Sequence, residues 1–488
     1  MLAAECIPII WYGNEIVYFD LAHATVRPDL FGPQHSTVDG SNARFLSFAA
    51  IGTLIDAVGF HTAKVILNGA FYVLFAFVLA WLFQTMRIGT AAAALGLVIF
   101  VAANQSLLGG EWILGTTEPK TFAYLCVFAG LALAFGGRWW AALLLTGAGT
   151  YFHFLVGGFW GLTVVLLHLV QTGRWGRSAI LLAFFAVLSL PMFLLLLGEQ
   201  LAAAPDMTGI DLTLREINTV FRNPHHLAPF TDLSVFRANW LSGLLIHVCF
   251  AVFFIWIARS GRYPVRGTAL WLALLNSYIL LAVILSFLDR AYILAPLYLF
   301  RPASLLLLLT IVAGLQTLLL AVSQAWRPKI ALVATGLAVV IALPTAVPGL
   351  GRYILKNTPI ETRLTPEARD LIEWIQRETD ADDAIAMQPP LAQPSLAEGD
   401  LPYGVMERLT GRGFIVNFKL MPSTPELIVR WYRLLEARTR LFEGDCTQIT
   451  ALEADWIVAM RAESPSAVVA CGVPVYENDR YTVLRPGT

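Results

Sequence analysis

The sequence predicts a polytopic α-helical membrane protein of about ten transmembrane helices, carrying a C-terminal α/β domain exported to the far side of the membrane. Three observations predict it. The chain of 488 residues is 57% hydrophobic and only 14% charged, with a mean hydropathy of +0.67, well beyond an ordinary soluble domain. Its charge is unevenly spread. Residues 1–350 hold 18 basic and 14 acidic side chains, whereas the much shorter stretch 351–488 holds 15 and 20. The basic residues of the first part also fall in alternate turns between apolar runs: Arg87, then Arg138, then Arg174 with Arg177, then Arg259, Arg262 and Arg266, then Arg327 with Lys329. Loops rich in Lys and Arg stay in the cytoplasm. The intervening loops hold the acids Glu15, Asp20, Asp29, Asp39, Glu111, Glu118, Asp206, Asp211, Glu216, Asp232 and Asp289, so these loops are expected to face outward.

Apolar runs long enough to approach the roughly 20 residues of a membrane span fall at 63–84, 90–107, 119–136, 139–154, 156–172, 178–198, 239–258, 268–288, 293–322 and 330–350. The pair around Gly157-Gly158 is short for two spans and suggests two helices meeting at a break. The run 293–322 is too long for one straight helix and contains Pro296 and Pro302, which predicts a kinked or re-entrant start. Residues 44–58 pattern as a helix lying along the membrane surface. Residues 1–12 are apolar but too short to span; they read as the stump of a first helix or as a buried tail. The domain expectation is therefore an exported loop with a surface helix over 1–62, a membrane domain over 63–350 and a soluble domain over 351–488.

In that last region, Thr365-Pro366 opens a helix over 366–378, with Leu371, Ile372, Trp374 and Ile375 on one face. Ala384–Met387, Phe414–Phe418, Asp455–Met460, Val473–Tyr476 and Tyr481–Leu484 read as strands, and Pro425–Phe442 as a second helix. Cys446 and Cys471 both lie in this region, and an oxidising compartment would let them pair. Cys6, Cys126 and Cys249 read as small core residues. The net charge of -1 gives no sign of a nucleic-acid partner. No GxGxxG, P-loop, GxSxG or HExxH pattern is present.

Four groups of residues carry candidate chemistry. Asn14-Glu15 with Tyr18 begins a polar stretch holding Asp20, His23, Asp29, His35 and Asp39; an acid there serves as a general base, as a metal ligand, or as part of a solvated loop. Glu111, Glu118 and Lys120 form the second group. A carboxylate at a helix start is favourable in itself, but the cation Lys120 is not, so the two types together suggest a pair around a ligand. Arg222, His225 and His226 form the third group, suited either to phosphate or to a plain surface loop. Arg301 is the fourth. It lies within an apolar run, where a guanidinium is costly and faces a cavity, a partner or the interface. His153 and His168 are lone histidines in apolar helices and read as core residues.

These pieces, in this order, resemble the GT-C superfamily of polyprenyl-phosphate-dependent glycosyltransferases, and more narrowly a group of bacterial GT-C-like membrane proteins. The resemblance rests on the acid of the first exported loop (Asn14-Glu15 with Tyr18), Glu118-Pro119-Lys120 in the second, Arg222–Leu227, the segment 371–379 and Gly411–Pro422. It departs from the family in a shortened first helix and in Asn-Glu where better-known members have two acids, so divalent-metal use is left open. What the resemblance implies is a multi-pass protein of the bacterial inner membrane. A polyprenyl-phosphate carrier would be held by Arg301, Arg222, His225 and His226, with Glu15 as the catalytic base that deprotonates an acceptor hydroxyl. Glu15, Glu118 and Arg301 are expected in one outward cavity. The rival expectations are a transporter, a polysaccharide assembly factor or an inactive GT-C relative; a transporter would show internal repeats, and none is visible.

Overall fold

The computed structural model describes residues 13–28, 44–115, 117–201, 204–322, 325–333, 335–337, 340, 364–388, 406–418, 421–461 and 466–487. The chain forms two compact units. One comprises Met1–Pro8, Ile66–Leu196 and Arg215–Tyr353; the other comprises Ile9–Val65, Leu197–Leu214 and Ile354–Thr488.

The first unit is a helical bundle. Its principal helices are α3 (Phe60–Thr85), α4 (Thr90–Ala102), α5 (Pro119–Phe135), α6 (Trp139–Phe152), α7 (Phe154–Thr172), α8 (Trp175–Gln200), α9 (Leu241–Ser260), α10 (Thr268–Leu288) and α11 (Ala303–Ala321); α3 and α8 extend into the other unit, which also holds α1 (Gly13–Val26) and α2 (Phe45–Val58). Six of these helices, α3, α7, α8, α9, α10 and α11, are long and apolar enough to cross a membrane. The expected spans 90–107, 119–136 and 139–154 shorten to helices of 13, 17 and 14 residues. The expected span 330–350 lies largely outside the described residues. The expected break near Gly157 is found at His153, whose extended backbone (φ -157°, ψ 102°) separates α6 from α7. Directly after it the two helices touch. A Cβ on Gly157 would lie 2.3 Å from the Thr150 nitrogen, so only glycine permits this approach. The irregular start expected for 293–322 is also present: a single 3-10 turn, Ala295–Leu297, precedes α11, which begins after Pro302.

The basic turns meet at one end of the bundle. The Tyr263 hydroxyl donates to the Met86 carbonyl at 3.2 Å, and the Gly89 N–H donates to Gln316 at 2.7 Å. The long loops 103–118, 223–231 and 289–302 gather at the other end, where the Ser304 hydroxyl donates to the Gln105 carbonyl at 2.6 Å. Between the two ends a buried polar chain links three helices. His247 Nδ1 lies 2.8 Å from Asn276 Oδ1, and the Asn276 amide donates to Leu272 O at 2.8 Å and to Thr310 Oγ1 at 3.1 Å. Since both amide hydrogens are used, the Asn276 oxygen must accept, which fixes His247 as the Nδ1–H tautomer. His168, expected as a core residue, is satisfied by Ser178 at 2.7 Å.

The second unit holds the α/β domain. Its sheet has the order β2-β1-β3-β5-β4, with β1 (Ala384–Met387), β2 (Gly413–Phe414), β3 (Trp456–Met460), β4 (Gly472–Glu477) and β5 (Tyr481–Pro486). The β1–β2 and β1–β3 pairs are parallel, and the β3–β5 and β4–β5 pairs antiparallel. Helix α12 (Pro366–Glu378) is capped by Thr365, which accepts from the Ala368 N–H at 3.2 Å. Its Trp374 ring packs against Trp456 and Tyr476. The strand expected over Phe414–Phe418 is shorter, because the carbonyls of Val416 and Asn417 turn away to accept from Arg438 (2.5 Å) and Trp431 (2.9 Å) of α13 (Pro425–Phe442). Arg412 closes the end of α12 by donating to Gln376 O (3.0 Å) and Thr379 O (2.7 Å). The segment Gly411–Pro422, as far as it is described, is thus occupied in holding the domain together. Cys446 and Cys471 form the expected disulfide, with Cα atoms 5.0 Å apart.

Helices α1 and α2 belong to this same unit. Phe19 meets Phe60 at 5.3 Å, and the Arg408 guanidinium lies 3.7 Å from the Phe60 ring centre. Asp20 and Glu407 are both buried here, and neither Asp20 oxygen has a hydrogen bond among the described residues. Burial pushes the Asp20 carboxyl up to about 7 against the opposing pull of Arg408, and burial with repulsion from Asp20 pushes Glu407 well up too. A carboxyl whose folded value exceeds its ordinary one stabilises the fold less as pH rises through the interval. Here that interval runs from about 4 to about 7. Asp20→Asn should therefore raise the thermal midpoint of the protein at pH 8 and flatten its decline between about pH 4 and 7. A lower midpoint at pH 8 would mean that the pull of Arg408 outweighs burial.

Candidate functional site

The site is built from loops at the end of the bundle opposite the basic turns. The loop 103–118 is organised by Gln105. Its side-chain oxygen accepts from the N–H groups of Ile113 (3.0 Å) and Leu114 (2.8 Å), and its amide donates to Leu114 O at 2.8 Å. This clamp folds the segment into a tight excursion with Gly109 and Gly110 at its bend, where φ is +70° and +56°. Glycine is needed at Gly109 on two counts: the backbone is left-handed, and a Cβ would come within 3.0 Å of Phe300. The bend delivers Glu111 to the centre of a charged cluster.

Arg301 reaches Glu111 from the 289–302 loop, with Nη1 2.6 Å from Oε1. Lys120, in the first turn of α5, places Nζ 3.6 Å from Glu111 Oε2 and 3.3 Å from Glu118 Oε2. His226 arrives on the single helical turn Pro224–Leu227, its Nδ1 3.9 Å from Glu111 Oε1. The Arg301 guanidinium also stacks 4.6 Å over Tyr298, and Lys120 sits 4.2 Å over Trp112. The side chains of Glu111, Glu118 and Lys120 are 4%, 2% and 7% exposed, and those of Arg301 and His226 are 13% and 18% exposed. The cluster is therefore nearly sealed, with its opening on the Arg301 and His226 side.

Burial alone would push the Glu111 carboxyl up. The cations Arg301 and Lys120 outweigh that and hold it below its ordinary value, so Glu111 is ionised. His226 is also shifted down, but by burial, which pushes its imidazole to about 4 despite the attraction of Glu111. It is a neutral ring at physiological pH. Its Nδ1 bonds the Gly109 carbonyl, which can only accept, so Nδ1 carries the hydrogen and Nε2 presents a lone pair.

The structure thus brings together Glu111, Glu118, Lys120, Arg301 and His226. His225 lies beside them, its ring centre 3.9 Å from that of His226. Arg222, at the end of the π-helical turn Ile217–Arg222, donates to Asn223 at 3.4 Å. The counter-charge of Arg301 is Glu111; the role expected for Glu15 falls on a side chain outside the described residues. Glu15 lies in α1, within the other unit, and Asp29, His35 and Asp39 are also outside the described residues. Tyr18 is described: the Arg44 guanidinium lies 5.0 Å from its ring centre. Gln105, Gly109, Gly110 and Trp112 escaped the sequence reading. The signal that points to them is the run Gly109-Gly110-Glu111-Trp112, an acid directly after a glycine pair in an outward loop. A small, partly open pocket beside Phe300 is lined by Leu227, Phe230 and Leu299 together with the polar Thr231, Asp289 and Arg290. Among the described residues no group of three or more His, Cys, Asp or Glu is placed to hold a metal. The chain matches no family model and no curated protein.

Two predictions test this geometry. Removing one member of a buried ion pair leaves an uncompensated charge and costs about 3–5 kcal/mol, whereas replacing both with apolar groups is close to neutral. Arg301→Met and Glu111→Leu should each lower the thermal midpoint sharply, and the double variant should recover most of the loss; additive losses would show that the two side chains are not a unit.

The second prediction concerns pH. Glu111 has a depressed value, so its contribution is whole above about 4.3 and is lost as pH falls through the folded value. His226 is also depressed, so the unfolded chain takes up its proton first, and stability falls between about 6.5 and about 4. The contribution of this site should therefore drop on acidification, opposite in sign to that of Asp20, and the difference in midpoint between wild type and His226→Gln should change between about pH 6.5 and 4. A difference that stays constant over that interval would assign the drop to other groups.

Proposed function

We propose that the protein is a multi-pass glycosyltransferase of the bacterial inner membrane. It moves a sugar from a polyprenyl-phosphate carrier to an envelope acceptor on the outer face. The observation that carries this reading is the convergence of Arg301, Lys120 and His226, from three separate segments, on one nearly sealed position at the end of the bundle away from the basic turns. The resemblance to the GT-C superfamily supports it, and the positive-inside rule puts that end outside. A disulfide in the α/β domain fits an oxidising compartment. On this reading the short helices α4, α5 and α6 and the run 330–350 join the six long helices to give about ten crossings or re-entrant segments, with residues 351–488 periplasmic or extracellular.

The chemistry follows from the groups present. The acceptor hydroxyl oxygen attacks the anomeric carbon while the bond from that carbon to the carrier phosphate breaks, and the bonding electrons leave with the phosphate. Arg301 and Lys120 are the cations suited to that developing charge. The acceptor's proton passes to a carboxylate, the role that the resemblance gives to Glu15. A second reading is a non-catalytic membrane protein, an assembly factor or an inactive relative. It is favoured by one observation: the cations Arg301 and Lys120 are already engaged by the acids Glu111 and Glu118.

The test has two parts. A reporter active only in the periplasm, fused after Arg352, should give signal. In proteoliposomes supplied with polyprenyl-phosphate sugars and envelope acceptor fractions, the wild-type protein should release polyprenyl phosphate. Arg301→Gln should slow that release by about 10²–10³, the scale on which loss of one charge-stabilising donor acts. Release that Arg301→Gln leaves unchanged, or no release by the wild type, supports the non-catalytic reading.

A further inference from the structure

We propose that Glu111 is a resident stand-in for a phosphate group, and that a phosphorylated ligand binds by displacing its carboxylate from between the cations Arg301 and Lys120. The inference rests on the reading of this site as a lipid-phosphate site and adds to it how the site is kept closed.

The fit of the carboxylate is the first argument. Two cations converge on it, but only Arg301 is at hydrogen-bond distance, 2.6 Å from Oε1. Lys120 stands 3.6 Å from Oε2, beyond the usual range for a charge-assisted bond, and Oε2 is buried with no hydrogen bond among the described residues. A tetrahedral phosphate, with more oxygens and greater spread than a planar carboxylate, reaches both cations.

Charge is the second argument. Arg301 and Lys120 are matched by Glu111 and Glu118, so a phosphate added to the closed cluster would put a surplus of negative charge into a nearly dry site, at steep cost. When Glu111 leaves, the phosphate takes its place opposite Arg301, and Glu118 still holds Lys120 at 3.3 Å. Only one ion pair is exchanged.

The means of departure is the third argument. Glu111 follows the glycine pair Gly109-Gly110, both in the left-handed region. The Gly110 bend has nothing closer to its missing Cβ than the rings of His226 and His225, at 3.7 and 3.8 Å. The opening of the cluster lies toward Arg301 and His226, its two most exposed members.

The experiment uses the full-length protein in detergent, with inorganic phosphate and farnesyl phosphate as separate probes, read by calorimetric titration and thermal shift. Glu111→Gln should bind inorganic phosphate at least tenfold more tightly than wild type, and phosphate should restore its lowered thermal midpoint. Glu111→Asp, which keeps the charge but draws it back from Arg301, should gain affinity in the same direction and covers the case in which the glutamine variant does not fold. Glu111→Gln with Arg301→Gln should lose the gain. Farnesyl phosphate binding more tightly than inorganic phosphate identifies the lipid headgroup as the source; equal affinity identifies a free phosphate. Should the position-111 variants bind phosphate no more tightly than wild type, displacement is overturned, and the lipid-phosphate reading survives only if Arg301→Gln weakens farnesyl phosphate binding to the otherwise wild-type protein. If no variant and no probe shows binding that depends on Arg301, both fall.

Discussion

The ion pair between Arg301 and Glu111 is the contact on which this end of the molecule depends. A guanidinium in an apolar stretch is tolerable only with a partner, and the partner comes from nearly 200 residues earlier in the chain. To meet it, loop 103–118 must fold back on itself through the Gln105 clamp and the glycine bend. The chain ahead of α11 must also turn through Tyr298, which sits in the left-handed region at φ +48° and lends its ring to the guanidinium. Lys120 and His226 then find positions around a carboxylate already fixed. The different causes of the two downward shifts follow from this order: Glu111 lies between positive partners and stays ionised, while His226 is dominated by burial and stays neutral.

A cluster in which acids and cations answer one another is chemically quiet at rest. Such clusters serve well when the ligand itself supplies the charge that rearranges them, since nothing is gained by admitting water or a small anion. This is why the same geometry supports both an enzyme and a non-catalytic relative, and why the discriminating measurements are those that perturb one charge at a time.

Much of the architecture was legible in the chain. The helices 366–378 and 425–442 and the strand 384–387 coincide with the sequence expectation, because their apolar spacing, caps and flanking polar residues all point the same way. The number of long spans was less legible. Hydropathy cannot separate a helix that crosses a membrane from a shorter one buried by its neighbours, and α5, whose inner face is buried along most of its 17 residues, is of the second length. At the site, the residue types were visible but not their pairing. Arg301, Glu118 and Lys120 stand out as charges at apolar boundaries. Glu111 was visible as one acid of the second group, but its pairing with Arg301 arises from a loop closure that no local pattern records. The Asp20–Glu407 contact was hidden for the same reason: its two acids are nearly 400 residues apart.

The hydrogen-bonded chain His247–Asn276–Thr310 has a consequence for how the protein is made. Each of these side chains lies inside a segment apolar enough to cross a membrane, and each is fully buried in the finished bundle. A helix bearing an unmet imidazole or carboxamide is poorly suited to sit alone among acyl chains. During synthesis α9 emerges first with His247 and α10 follows with Asn276, so the first bond is available as a hairpin; the threonine of α11 comes one loop later. These three segments should therefore leave the insertion machinery as a group rather than singly, and the 289–302 loop that carries Arg301 would be drawn into place as the third helix closes against the first two.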